Sequence, residues 1–202
     1  MPPSDAELAR QALTGSQAAY HALVARYASA AINVAARLVN DRTLAEDLAQ
    51  EAFVRAFARL KTYDPERRFS AWFFRVVHNV AVDYLRRHRV ETVSLDALQA
   101  GGYPGPAADE SASSPESEAE RHALAAALAD ALSRIRSDYR EAIILRYQQD
   151  LTVEEVADVM QVPEGTVKTY LHRGRKALAA ILSGAGWEPS EARSRTASPA
   201  KT

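Results

Sequence analysis

The stretch DYREAIILRYQQDLTVEEVADVMQVPEGTVKTYLHRGRKALAAI, residues 138–181, decides the fold. Within it Thr152, Val153, Glu154 and Glu155 form a capping box: the threonine hydroxyl accepts from a first-turn amide and Glu155 reaches back to the cap. Val153, Val156, Ala157 and Met160 then recur at helical spacing, which gives a short helix with one buried face. Gln161 and Val162 lead to Pro163. Proline suits the first position of a new helix, where its missing N–H would go unpaired anyway. The unit reads as a helix-turn-helix.

The second helix of the pair sorts its residues by side. At about 100° per residue, Val167, Tyr170, Leu171, Gly174, Ala177 and Leu178 share one face. Lys168, Thr169, His172, Arg173, Arg175 and Lys176 share the other. The apolar side can pack on preceding helices while the cationic side lies in a major groove. An ordinary amphipathic surface helix has the same pattern, but not the capping box, short helix and proline turn in front of it.

Working outward, the chain has 202 residues, 47% of them hydrophobic, enough for one or two compact domains. The formal net charge is only −1. The distribution says more. From Lys61 to Arg89 seven Lys or Arg stand against three acids, and from Glu91 to Glu120 seven acids stand with no Lys or Arg. Basic segments separated by an acidic connector form an asymmetry that the average hides. The absence of cysteine rules out a disulfide framework and a thiolate metal site, and is compatible with a reducing cytoplasm. Met1 to Arg10 has no basic-then-apolar signal pattern. No uninterrupted apolar run approaches the length that spans a bilayer. The expectation is a soluble, cytoplasmic chain without direct membrane insertion.

Upstream, Ser4 to Glu7 is a capping box that opens a short helix closed by Gly15. A longer helix follows, from about Ser16 to Val39, with Asn40 at its end. Thr43 to Glu46 reads as a further capping box, starting a helix to about Leu60. Its core face is Ala45, Ala49, Ala52, Phe53, Ala56, Phe57 and Leu60. Leu44, Asp47, Leu48, Glu51 and Arg55 fall on the opposite side. Outward leucines flanked by charges suggest a partner surface, although single exposed apolar residues are also common.

Lys61 to Phe69 is a loop marked by Asp64-Pro65. Ser70 opens a helix to about Arg89, with Phe73, Val76, Val77, Val80, Ala81, Tyr84 and Leu85 inward. Trp72, Arg75, Asn79 and Arg86 line the far side, with Asp83 beside them. That set suits an unstacked strand: arginines track phosphate, indole stacks, and the amide bonds a base edge. The blander alternative puts Trp72 in the core and leaves the arginines to satisfy the helix C-terminus. Residues 91–120 are rich in Gly, Pro, Ser and acid, and read as a flexible linker, with a turn at Ser94 to Leu98. Helices return at about Glu118 to Ile135, with Leu124, Leu128, Leu132 and Ile135 inward. Another spans Asp138 to Gln148, with Tyr139, Ala142, Ile143 and Tyr147 inward. Gly184 and Gly186 stop the last helix, and the tail to Thr202 reads as disordered.

The segments AEDLAQEAFVRAF (45–57), FSAWFFRVVHNVAVDYLRR (69–87) and YREAIILRYQQDLTVEEVADVMQVPEGTVKTYLHRGRKAL (139–178), in this order and spacing, resemble an extracytoplasmic-function (ECF, group IV) RNA polymerase sigma factor. The resemblance covers roughly residues 5–183. It implies an all-α fold: a domain over 1–90, an acidic flexible linker over 91–120, a four-helix domain with the helix-turn-helix over 121–183, and a disordered tail over 184–202. It further implies an alternative sigma factor that directs promoter-specific initiation. Leu44, Asp47, Leu48, Gln50 and Glu51 would dock on the clamp helices of the largest subunit of core RNA polymerase, and the polymerase flap is a further expected contact. Tyr63, Arg67, Arg68, Phe69, Trp72, Arg75, Asn79 and Arg86 would open and read the minus-ten element as single strand. There Asn79 would sit near a flipped base, and residues 63–69 would wall its pocket. Flipping costs a few kcal/mol of unstacking. Lys168, Thr169, His172, Arg173 and Lys176 would read the minus-thirty-five element, with Arg146 a phosphate or base contact just before them. The linker would thread the RNA path, and its acids suggest nucleic-acid mimicry. The family often has a small or basic residue where Tyr170 stands and commonly Ala where Gly174 stands.

The family also implies an anti-sigma partner that clamps both domains and hides the DNA surfaces of the free chain. No cofactor, metal or small-molecule substrate is expected. An enzyme would need a motif that is missing: there is no phosphate-binding Gly loop, His-Glu-x-x-His, Gly-x-Ser-x-Gly or Cys/His cluster. His78 and Asp83 fall on different helix faces, and the five histidines read as surface residues. A sigma mimic that only titrates an anti-sigma factor is the alternative. It should lose DNA-facing charge, yet Arg75, Asn79, Arg86 and Lys168 to Arg173 are present.

Overall fold

The computed structural model describes residues 2–88 and 115–187. The turn at Ser94 to Leu98, most of the acidic connector and the tail from 188 lie outside these residues. The described chain is helical throughout, in two groups: α1 (Asp5–Leu13), α2 (Gln17–Val39), α3 (Arg42–Ala58) and α4 (Phe69–His88), then α5 (Pro115–Arg134), α6 (Ser137–Tyr147), α7 (Val153–Met160) and α8 (Glu164–Gly184). A short 3-10 helix, Leu60–Thr62, follows α3.

The helix boundaries follow local chemistry. Ser4 and Glu7 close the first capping box, with Ser4 N donating to Glu7 Oε2 at 2.7 Å and Glu7 N donating to Ser4 Oγ at 3.3 Å. Asn40 ends α2 in the left-handed region at φ 57°. α3 departs from the expected box at Thr43. Asp41 caps instead, accepting from Leu44 N at 3.1 Å, and the helix starts at Arg42. Aspartate is among the strongest cap residues, and it lies upstream of the threonine, so the helix nucleates earlier. α5 begins at Pro115, three residues before the expected return at Glu118 and inside the segment read as linker. Pro163 stands just before α8 as its cap residue.

In the first group α3 and α4 pack on α2, which also carries α1. By length and composition alone α2 could cross a membrane, although it contains no uninterrupted apolar run of that length. Here it is a core helix, burying Ala19, Leu23, Tyr27, Ala31, Val34 and Ala35. Rings fill the centre. Phe73 and Phe74 are fully buried, Phe69 stacks on Phe73 at 6.0 Å, and Tyr27 touches Phe69, Phe73 and Phe74. Asp5 of α1 pairs with Arg26 and accepts from the Tyr27 phenol, which fixes α1 to α2. Burial, then the Asp5 hydrogen bond and charge, pushes the Tyr27 phenol above its ordinary range.

In the second group α5, α6 and α7 all contact α8. Leu132, Ile144, Leu145, Leu151, Val156 and Val167 make its core. Arg140 is buried and closes the α5–α6 corner by donating to Ser133 O at 2.7 Å and Ile135 O at 2.9 Å. Burial, and then the charge of Arg37, lowers its pKa. Leu124 and Leu128, expected inward, are exposed. Within the group α5 packs on α8, and only its last turns reach the core, with Ala129, Ala131 and Leu132 buried. Tyr147, at the last turn of α6, is exposed too. The groups touch where α7 lies on α4 and α6 on α2.

Candidate nucleic-acid interface

The helix-turn-helix is built as its sequence indicates. Thr152 N donates to Glu155 Oε2 at 2.7 Å, and Glu155 N donates to Thr152 Oγ1 at 3.1 Å. Gln161 ends α7 at φ 55°, and α8 begins after Pro163. Val167, Leu171, Gly174 and Leu178 are buried, so Lys168, Thr169, His172, Arg173 and Lys176 are exposed together with Arg175. Lys168 is paired only loosely, 3.3 Å from Glu164 one turn earlier. This face is a cationic ridge without a covering element among the described residues. Arg146 stands apart from it. Its guanidinium donates to Leu151 O at 2.8 Å and braces the turn between α6 and α7.

α4 carries the second set. Arg75 and Arg86 are exposed, Asn79 and Trp72 are half-buried. Trp72 both packs and shows: its ring lies against Tyr63 at 5.6 Å and Phe69 at 5.5 Å, and it lines an open cleft of about 450 Å³ with Arg67, Arg68 and Arg75. Two expected contacts are corrected. Tyr63 is 6% and Phe69 2% exposed, so neither presents a wall to a ligand. Phe69 is the first residue of α4 and its ring completes the aromatic core. The Tyr63 hydroxyl donates to Arg67 O at 2.9 Å, which pins the loop and sets the direction of Arg67 and Arg68. Burial, with Asp5 and Asp64 nearby, raises the Tyr63 pKa.

The α3 face needs the same correction. Leu48 is 4% exposed and belongs to the core, and Leu44 is partly buried against it. Helices α2 and α4 both pack on α3, so its apolar sector is wider than the alanine stripe alone. Asp47, Gln50 and Glu51 do face outward. Val54, 70% exposed, joins them and was missed in the sequence. The 47, 50, 51, 54 spacing of one helix face was the available signal. Arg55 pairs with Glu51 and reaches Asp83 of α4 at 3.9 Å.

His78 was also misread. It is 9% exposed, and its Nδ1 lies 2.6 Å from Oε1 of Glu141, itself 4% exposed, so α4 and α6 meet in a buried polar pair. Sequence spacing cannot pair residues 63 apart.

Comparison with known proteins decides the family. Residues 23–91 match Sigma-70 region 2, and residues 125–178 match Sigma-70, region 4. The chain is 32% identical over 174 residues to the ECF RNA polymerase sigma factor SigW of Bacillus subtilis, an alignment that spans 84% of this chain and 91% of SigW. The chain belongs to the ECF sigma factors. This ECF sigma factor is also 31% identical over 180 residues to the RNA polymerase sigma-H factor of Pseudomonas aeruginosa, spanning 88% of this chain and 93% of that one. Among solved structures it resembles CnrH in complex with the cytosolic domain of CnrY, with a TM-score of 0.60 and 27% identity over 90% of this chain and 99% of CnrH. It is thus an alternative sigma factor that directs transcription, built from two helical sigma domains.

Proposed function

We propose that this sigma factor docks on the core RNA polymerase clamp through the exposed face of α3, Asp47, Gln50, Glu51 and Val54, with Leu44 at its edge. Leu48 supports that face from beneath. Arg67, Arg68, Trp72, Arg75, Asn79 and Arg86 engage the minus-ten element as single strand. The arginines neutralise phosphate, the indole offers a stacking surface, and the Asn79 amide meets a base edge. Lys168, Thr169, His172, Arg173 and Lys176 read the minus-thirty-five element in the major groove. Arg146 acts by holding the turn that aims α8.

The division of labour runs along domain lines, with residues 1–90 for docking and minus-ten opening and 121–183 for minus-thirty-five recognition. The protein acts in the cytoplasm as a specificity factor without catalysis of its own. CnrH forms a complex with the cytosolic domain of CnrY, and an anti-sigma factor is the partner proposed for this chain. The observation that carries the reading is the uncovered cationic ridge of α8 directly after a capped short helix and a proline turn.

Run-off transcription with core polymerase and genomic fragments, with the chain present or omitted, tests it. Specific starts that require the chain are expected. Binding to polymerase without any start would favour a mimic that titrates an anti-sigma factor, and no binding would overturn the docking face.

A further inference from the structure

The α8 ridge contains one side chain whose charge is not fixed. Lys168, Arg173, Arg175 and Lys176 stay cationic across the physiological range, because ammonium and guanidinium groups lose their protons only above about pH 10. His172 stands among them, one turn after Lys168 and one turn before Lys176, and it is exposed. An imidazole is the ordinary side chain that changes charge between about pH 5 and 8.

The surroundings of His172 leave that change to a ligand. Among the described residues no hydrogen bond or ion pair engages its ring. His78 and His88 are committed instead, with Nδ1 of His78 at 2.6 Å from Glu141 Oε1 and Nδ1 of His88 at 3.0 Å from Tyr84 O. On α8 itself, Thr169 turns its hydroxyl back to Gly165 O at 2.9 Å. Glu164, the carboxylate of α8, lies 3.3 Å from Lys168 and about two turns before His172. The elements packed on α8 also hold their charged groups elsewhere. On α7, Glu154, Glu155 and Asp158 line the cleft with Arg67, Arg68 and Arg75. On α6, Asp138 pairs with Arg136, Arg140 with the carbonyls of Ser133 and Ile135, Glu141 with His78, and Arg146 with Leu151 O. The Tyr139 ring lies against Tyr170 and the Tyr147 ring beside Arg146. On the last turns of α5, Asp130 lies 3.5 Å from Arg134.

Taking α8 as the reader of the minus-thirty-five duplex, as in the proposed function, we propose that His172 makes this reading proton-dependent. A duplex carries one negative charge per about 1.7 Å of its axis, so it draws the ridge in more strongly when the imidazole is protonated. The charged ring also donates from both nitrogens, whereas the neutral ring donates from one. Linkage is reciprocal: a duplex that prefers the protonated ridge favours the proton once bound. Binding takes up a proton, and affinity falls as pH rises through the imidazole range.

The full chain assembled with core polymerase tests this. The probe is a labelled duplex carrying a promoter mapped by run-off transcription. Dissociation constants are measured at fixed ionic strength from about pH 5.5 to 8.5, for the native chain, His172→Gln and His172→Arg. Comparing chains at each pH cancels the titration of polymerase and DNA. Near pH 5.5 the native chain should bind about five- to tenfold more tightly than His172→Gln, since a linkage of one pH unit is a factor of ten. Near pH 8.5 the advantage should shrink to about twofold or less. His172→Arg keeps its charge, so its affinity relative to His172→Gln should not change with pH. The position is exposed, and all three chains should melt alike.

A native-to-glutamine ratio that is constant or rises with pH would overturn the proposal. So would a falling ratio that His172→Arg reproduces, because a guanidinium does not titrate in this range. The start sites separate the two claims. Specific starts with a constant ratio leave the promoter reading standing without the proton linkage, whereas no specific start from the native chain would refute that reading and the linkage with it.

Discussion

Tyr27 and Gly174 show how single side chains hold this protein together. The Tyr27 phenol is buried and donates to Asp5, so the folded state resists its ionisation. The unfolded phenol loses its proton from about pH 10. Because the folded pKa is the higher one, this contribution is complete below pH 10 and declines as pH rises beyond it. Thermal unfolding from pH 8 to 11 should show a steeper alkaline loss for the native chain than for Tyr27→Phe. Parallel curves would mean that the phenol does not carry the effect.

Gly174 is explained by its neighbours on α6. A Cβ there would lie 2.7 Å from Ile143 Cδ1 and 3.1 Å from Tyr139 Cβ. An alanine there would gain about 1 kcal/mol of helix propensity, against a crowding cost that a turn of Ile143 can partly relieve. Gly174→Ala is expected within about 1 kcal/mol of the native chain, and Gly174→Val to cost about 1–3 kcal/mol or more. Equal denaturation midpoints for all three would show that α6 and α8 do not press together here.

At the scale of elements, α3 separates what a pattern reveals from what packing decides. The sequence marked α3 correctly as a helix with charged residues on one side. It could not say how wide the buried sector is, because that depends on both α2 and α4. Leu48 consequently moved inside and Val54 emerged as exposed. Leu48→Ala should cost about 2–4 kcal/mol of stability by leaving a cavity. Glu51→Ala, which removes only a surface pair with Arg55, should cost about 0.5 kcal/mol or less. In a titration with core polymerase, Gln50→Ala with Glu51→Ala should weaken binding with the melting temperature preserved. Undiminished affinity would remove the docking assignment.

The other elements divide in the same way. Capping boxes at Ser4 and Thr152 and the left-handed stops at Asn40 and Gln161 are local chemistry. The first box and both Asn40 and the helix-turn-helix were legible from the sequence alone. Asp41 overruled Thr43 because two adjacent candidates compete for one helix start. Tyr63 and Phe69 looked like loop groups available to a ligand. Their rings are instead absorbed by an aromatic core that sequence spacing does not define.

For the whole molecule, the two helical groups and their order were legible because each carries a long periodic pattern, and the resemblance of residues 45–57, 69–87 and 139–178 to ECF sigma factors supplied what they are. Their mutual arrangement was not, because it rests on pairs such as His78–Glu141 and Asn79–Gln161 that join distant residues. That arrangement leaves α8 open and packs α7 against α4, so the two surfaces proposed to read DNA differ in exposure.

In the proposed reading α4 and α8 read separate parts of one promoter. The most direct measurement is run-off transcription with core polymerase on a mapped promoter whose upstream and downstream elements are changed one at a time. Arg173→Ala or Lys168→Ala should lose about 1–3 kcal/mol of discrimination at the upstream element alone. Asn79→Ala should lose discrimination at the downstream element alone. Loss at the same element for both helices, or a uniform loss over all templates, would contradict the account.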